Sequence, residues 1–164
     1  MIKFIALGIL LASNAALARN INGIVIKDAW VREAPPIAKV MAAYLIIENQ
    51  TDKQTVLTKI SSPTFNRVEI HKNITRNGMA TMERQQKLLI PAKGSINMQA
   101  QGYHLMLFNP VVKLKAGDTV RFSLKFAGGA AKVVTAKVKR ATGGMHHQQM
   151  DMDHMDMNHE HMNK

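Results

Sequence analysis

Short apolar or alternating segments, separated by turn signals, run through residues 23–139, and no long segment has a helical period. Nine of these segments predict β-strands, at residues 23–31, 40–48, 55–60, 67–75, 79–84, 95–99, 103–108, 119–126 and 132–139. Alternation is clearest in the eighth segment, where Val120, Phe122, Leu124 and Phe126 are predicted to face the core. Strands at this spacing indicate one all-β domain, either a β-sandwich or a Greek-key barrel.

The first 18 residues have the pattern of an export signal. Lys3 precedes an apolar run over residues 4–12, and Ala16-Leu17-Ala18 forms a small-x-small cleavage site. The apolar run is too short to span a bilayer. We therefore expect residues 1–18 to be a signal peptide, and the mature chain from Arg19 to be a soluble protein of a bacterial periplasm.

The chain contains no cysteine. An exported domain without cysteine has no disulfide bonds, so its core must stabilise it alone. The absence also excludes cysteine lipidation after the signal and a thiolate-ligated blue-copper site for electron transfer. Because the sequence also has no clustered carboxylate pair, and Arg19 rather than a histidine begins the mature chain, we do not expect an enzyme.

Charge is distributed unevenly along the chain. The formal net charge is +11, but residues 145–164 carry −3, so that residues 1–144 carry +14. A basic body of this kind is either a solvated surface or a surface that attracts anionic lipid or an acidic protein. Nucleic acid is not an expected partner, because the protein is exported and only 5% of its residues are aromatic.

The C-terminal segment is rich in histidine and methionine. Gly143-Gly144 ends the periodic region, and a segment so poor in branched and aromatic residues predicts a disordered tail over residues 143–164. Imidazoles favour copper(II) and thioethers favour copper(I), so the tail is a second candidate copper element; adventitious binding by a solvated tail is the alternative. The candidate tail ligands are Met145, His146, His147, Met150, Met152, His154, Met155, Met157, His159, His161 and Met162.

Within the body of the chain, His104 and Met106 form the most unusual pair. They are two residues apart in an apolar strand segment, so their side chains project from the same face. An imidazole beside a thioether suits a soft ion, above all copper(I). The alternative is that both residues are structural, since methionine often fills cores, as we expect for Met41 and Met98.

A turn signal in the sequence predicts a second histidine and methionine pair on one face of the sheet. Asn77-Gly78 predicts a two-residue type I′ hairpin, in which Asn73 faces Met82 across the strands. Because His71 and Asn73 share a face, Met82 lies one diagonal step from His71, whereas Met79 falls on the other face. A three-residue turn would reverse that choice. Since an imidazole binds metal only when neutral, a site built from these pairs should lose copper in mild acid.

The spacing His71-x10-Met82-x21-His104-x-Met106 resembles the copper-binding motif of the periplasmic PCu(A)C-type copper chaperones. The likeness covers residues 22–140 and includes the surrounding segments 41–45, 61–63, 68–71, 88–92, 102–107 and 114–118. It implies a cupredoxin-like β-sandwich, here residues 19–142, that binds one copper(I) ion through those four residues. Some members of that family have a similar His/Met-rich extension.

The same resemblance implies a function. Proteins of this family deliver copper to a respiratory oxidase, at the binuclear centre of cytochrome c oxidase subunit II, sometimes alongside a Sco-type copper protein. The alternative is a periplasmic copper buffer or resistance protein without a dedicated client. We expect a monomer, because the sequence has no obvious association motif.

Overall fold

The computed structural model describes residues 22–140, and this part of the chain forms strands without any helix. The ten strands are β1 (Ile24–Arg32), β2 (Val40–Asn49), β3 (Thr55–Ser61), β4 (Phe65–Arg76), β5 (Met79–Gln85), β6 (Leu88–Ile90), β7 (Ser95–Asn97), β8 (Tyr103–Pro110), β9 (Thr119–Phe126) and β10 (Ala131–Lys139). The all-β prediction is confirmed. The predicted signal peptide at 1–18 and the predicted tail at 143–164 lie outside the described residues.

The strands form one continuous hydrogen-bonded path in the order β5-β4-β8-β2-β1-β10-β9-β3-β6, and β7 pairs with β2. Every pairing is antiparallel except that of β1 with β10. The path curls until β3 contacts β4 and β6 contacts β2, which encloses the core. In the part of the chain that the structure describes, no helix is long and apolar enough to cross a bilayer.

The core is built from the inward-facing residues of these strands. Val120, Phe122, Leu124 and Phe126 are all at most 2% exposed, as their alternation predicts. The core cluster also contains Met41 and Met98, which confirms that both fill the interior. Burying a large apolar side chain contributes roughly 1.5–3 kcal/mol, so a domain without disulfide bonds can be stabilised by a cluster of this kind.

One strand was not predicted, and several predicted strand ends differ from the observed ones. No strand was predicted at Leu88–Ile90, yet these residues form β6 and pair with β3. Three residues are too few to show the alternation that identifies a strand in a sequence, so β6 can be recognised only from its pairing with β3. The strand predicted at residues 103–108 extends through Asn109 and Pro110, which end β8.

The turn between β4 and β5 fixes the register of the hairpin. Asn77 and Gly78 have φ angles of 51° and 78°, the left-handed values that a type I′ turn requires at both central residues. The observed pairs include Arg76 with Met79 and Asn73 with Met82. The two-residue turn is thereby confirmed, and Met82 lies on the same face of the sheet as His71.

Candidate metal centre

The two histidines of the described chain lie opposite each other on neighbouring strands. His71 of β4 pairs directly with His104 of β8, and the ring centroids are 6.1 Å apart. Their strand neighbours Ile70 and Leu105 are buried in the core. Because strand side chains alternate, both imidazoles lie on the face opposite the core. The sheet therefore brings together the two predicted histidines, which are 33 positions apart in sequence.

The two predicted methionines border a cleft beside this histidine pair. The cleft has a volume of about 380 Å³, and Met82, His104 and Met106 all line it. His104 is only 6% exposed, whereas Met82 is 59% exposed and lies on β5, a terminal strand of the sheet. His71 does not line the cleft but lies beside His104. One thioether is thus accessible from solvent while the imidazoles are enclosed.

His71 has one nitrogen that no protein atom satisfies. Its Nδ1 is buried without a hydrogen-bond partner, while its Nε2 is 2.9 Å from Glu69 Oε2. A carboxylate only accepts hydrogen bonds, so the Nε2 of neutral His71 carries the proton and Nδ1 carries the lone pair. Leaving such a buried acceptor unpaired costs roughly 1–3 kcal/mol. An electrophile on Nδ1 would remove that cost.

Glu69 is held in place by two arginines as well as by His71. Its Oε1 is 3.1 Å from Arg67 Nε and 3.4 Å from Arg84 Nε, and the side chain is 9% exposed. The hydrogen bond from His71 lowers the pKa of Glu69, and Arg84 and Arg67 lower it further, although burial opposes them. Glu69 is therefore an ionised carboxylate that fixes the His71 ring.

His104 is oriented by a backbone carbonyl instead of a carboxylate. Its Nδ1 is 3.2 Å from the oxygen of Gly102, so that Nδ1 donates and Nε2 carries the lone pair. The same carbonyl accepts the backbone N–H of Asn73, which ties the loop before β8 to β4. Ring nitrogens that donate to a carboxylate or a carbonyl are typical partners of metal-binding histidines.

The candidate donor set is two imidazole nitrogens and two thioether sulfurs. Deprotonated imidazole nitrogens and thioether sulfurs are uncharged ligands without oxygen, a combination that matches a soft monovalent ion better than zinc, calcium or magnesium. The buried, unpartnered Nδ1 of His71 fits such an ion. Among residues 22–140, no group of three or more His, Asp or Glu side chains is arranged to hold a metal.

Sequence reasoning missed one residue that shapes this site. Glu69 was not singled out, although it is two positions before His71 and therefore on the same strand face. This spacing of two residues was the feature of the sequence that could have identified Glu69 as a neighbour of His71. The position of Arg84 was available in the same way, because the two-residue turn that places Asn73 opposite Met82 also places His71 opposite Arg84.

Comparison with known proteins agrees with this all-β, cupredoxin-like architecture. The family described as "Putative lipoprotein LpqE-like" matches residues 24–138, so the chain belongs to the LpqE-like family. A relative from Leifsonia xyli, "Putative lipoprotein Lxx21020", is 27% identical over 133 residues, which cover 80% of this chain and 79% of that protein.

Solved structures with a similar fold include copper-bound proteins. The copper(I) form of DR1885 from Deinococcus radiodurans is 32% identical to this chain and has a TM-score of 0.61. The matched region covers 81% of this chain and 88% of the DR1885 chain. The copper-bound PCuAC domain of PmoF2 is 19% identical to this chain and has a TM-score of 0.62. The matched region covers 74% of this chain and 96% of the PmoF2 domain. The resemblance to the PCu(A)C-type family is confirmed, and PCuAC domains are copper-binding, chaperone-like domains.

Proposed function

We propose that this chain is an exported copper chaperone. It binds one copper(I) ion, as cargo, through His71 Nδ1, His104 Nε2 and the sulfurs of Met82 and Met106. The unpartnered Nδ1 of His71 carries this proposal, because it is a buried lone pair beside a second imidazole and a thioether-lined cleft. The copper(I) form of DR1885, a relative of similar fold, supports the choice of ion.

The arrangement suits transfer more than permanent storage. His71 and His104 are enclosed, whereas the exposed Met82 is accessible to an incoming ligand from another protein. Thioethers are weak, neutral ligands, so a competing donor can replace them one at a time. No acid–base or nucleophilic step is part of this role, and the proposal is a carrier without enzymatic activity.

The proposed client is a respiratory oxidase, at the binuclear copper centre of cytochrome c oxidase subunit II, with a Sco-type copper protein as a further partner. The proposed location is the periplasm, after removal of residues 1–18, and the proposed state is a monomer. These assignments rest on membership of the family and on the export pattern of the sequence.

Cells that lack this protein are expected to lose oxidase activity when copper is limiting and to regain it when copper is ample. A dedicated carrier raises delivery only where free copper is scarce, so excess metal should bypass it. Oxidase activity in the deletion strain, measured at both copper levels, checks this. Copper sensitivity with normal oxidase at both levels would instead favour the buffer or resistance role.

The tail is proposed to capture additional copper and to pass it to the body. Its eleven imidazole and thioether groups are tethered to the domain, which raises their local concentration near the cleft. Truncation after Gly143 is expected to lower the number of bound copper ions while one copper(I) remains on the body. Metal analysis after gel filtration measures this, and an unchanged stoichiometry would contradict a role for the tail.

A further inference from the structure

The outward face of β10, β9 and β3 carries only positive charge. Lys59, Arg121, Lys125, Lys137 and Lys139 are all exposed and occupy outward positions on these three strands, and we call them the cationic face. None of the three strands contains Asp or Glu. The face is therefore a single-sign surface and not the mixed surface that is typical of soluble domains.

The cations of this face have no counter-charge within the described chain. Every ion pair among residues 22–140 uses other cations, for example Lys27 with Glu48 and Arg76 with Glu83. The register makes the repulsion direct, because Lys59 of β3 lies opposite Lys125 of β9. Like charges directly opposite each other destabilise a sheet. An anionic group over this face would relieve that repulsion.

The chain itself contains a suitable anionic segment. The tail carries Asp151, Asp153, Asp156 and Glu160, and its last 20 residues have a net charge of −3. It follows β10 directly, because Arg140 is the next residue after Lys139. Ten residues lie between Arg140 and Asp151, so the eleven steps from one to the other reach up to about 40 Å. The nine residues of β10 span only about 30 Å, so the whole face is within reach.

We infer that residues 151–160 bind the cationic face of their own chain. The tether gives these carboxylates an effective concentration on the order of millimolar at the face, so weak ion pairs suffice. The contact is electrostatic, and salt screens it. Its occupancy would also change when copper ions add positive charge to the tail. That consequence depends on the proposed function, but the contact itself does not.

The test uses the full mature chain without copper and compares two forms by backbone amide NMR. One form is the wild type and the other is D151N/D153N/D156N/E160Q, which retains every histidine and methionine. In about 10 mM salt, where the screening length is about 30 Å, the amide shifts of Arg121, Lys125 and Lys137 should differ between the forms. In about 1 M salt, where that length is about 3 Å, the two spectra should converge at these positions.

A second pair of variants locates the contact. In a K125Q/K137Q background, neutralising the tail should produce smaller shift differences across β9 and β10. In a K27Q background, where the lost cation is paired with Glu48, the differences should be unchanged. Identical low-salt spectra of the first two forms would overturn the inference, as would differences confined to β4 and β5.

Anionic membranes are the competing occupant. Vesicles of phosphatidylglycerol and phosphatidylcholine are expected to bind the D151N/D153N/D156N/E160Q form more tightly than the wild type, because the tail no longer competes for the cationic face. Equal vesicle binding by both forms, abolished by K125Q/K137Q, would show that the face binds lipid and not the tail, and would overturn the inference.

Discussion

Replacing His71 by alanine is expected to lower the affinity for copper(I) by at least about 100-fold. Loss of a residue that only orients a metal ligand lowers metal affinity by about 10- to 100-fold, so loss of the ligand itself should lower it at least as much as the upper value. The substitution removes the buried Nδ1 that has no partner within residues 22–140, and it leaves Glu69 facing the vacated space. Competition with a chromogenic copper(I) chelator measures the affinity. Circular dichroism checks that the β-sandwich is retained, since Ile70 beside it remains in the core.

A matched control separates this site from the tail. The variant His159→Ala also removes one imidazole, but from the tail, so the tight copper(I) affinity should not change. If His71→Ala and His159→Ala alter the affinity equally, the enclosed pair of histidines is not the tight site. The proposal would then fail even if total copper binding were large.

Replacing Glu69 by alanine is expected to lower copper(I) affinity by about 10- to 100-fold, although Glu69 itself contributes no donor to copper(I). Without the carboxylate, the proton of His71 is no longer held on Nε2, and the ring can present either nitrogen or rotate. Nitrogen-15 NMR of the apo protein reports the tautomer directly. It should show one Nε2-protonated form in the wild type and a mixture in the variant.

The control for this variant is Glu83→Ala. Glu83 is also a carboxylate on the same hairpin paired with an arginine, at 3.0 Å from Arg76, but its side chain is 43% exposed. An exposed pair of this kind contributes about 0–1 kcal/mol to stability. Glu83 pairs with Lys72, so its side chain lies on the other face of the hairpin from His71. Its loss should leave copper(I) affinity and the His71 tautomer unchanged. Equal losses in both variants would indicate a general charge effect instead of orientation of His71.

Local chemistry in the sequence predicted part of this structure well. The Asn77-Gly78 turn requires left-handed backbone at two positions, so its type and register followed from two residues. That register alone placed Met82, and not Met79, beside Asn73. The inward residues of β9 followed in the same way from a period of two.

Long-range pairing was not accessible to the same reasoning. The directly opposed His71 and His104 depend on the pairing of β4 with β8, and no turn connects these strands. The parallel pairing of Trp30 in β1 with Lys137 in β10 joins residues more than 100 positions apart. Sequence patterns give each strand a buried face but not its neighbour, so only the family resemblance brought the four candidate ligands together.

The most direct test of the central claim is copper K-edge absorption on the full mature chain with one equivalent of copper(I). We predict a mixed shell of two nitrogens and two sulfurs around the copper ion. The His71→Ala variant should lose nitrogen scattering and Met82→Ala should lose sulfur scattering, while Met79→Ala, on the other face of the same hairpin, should match the wild type. An unchanged nitrogen and sulfur shell in both His71→Ala and Met82→Ala would contradict it.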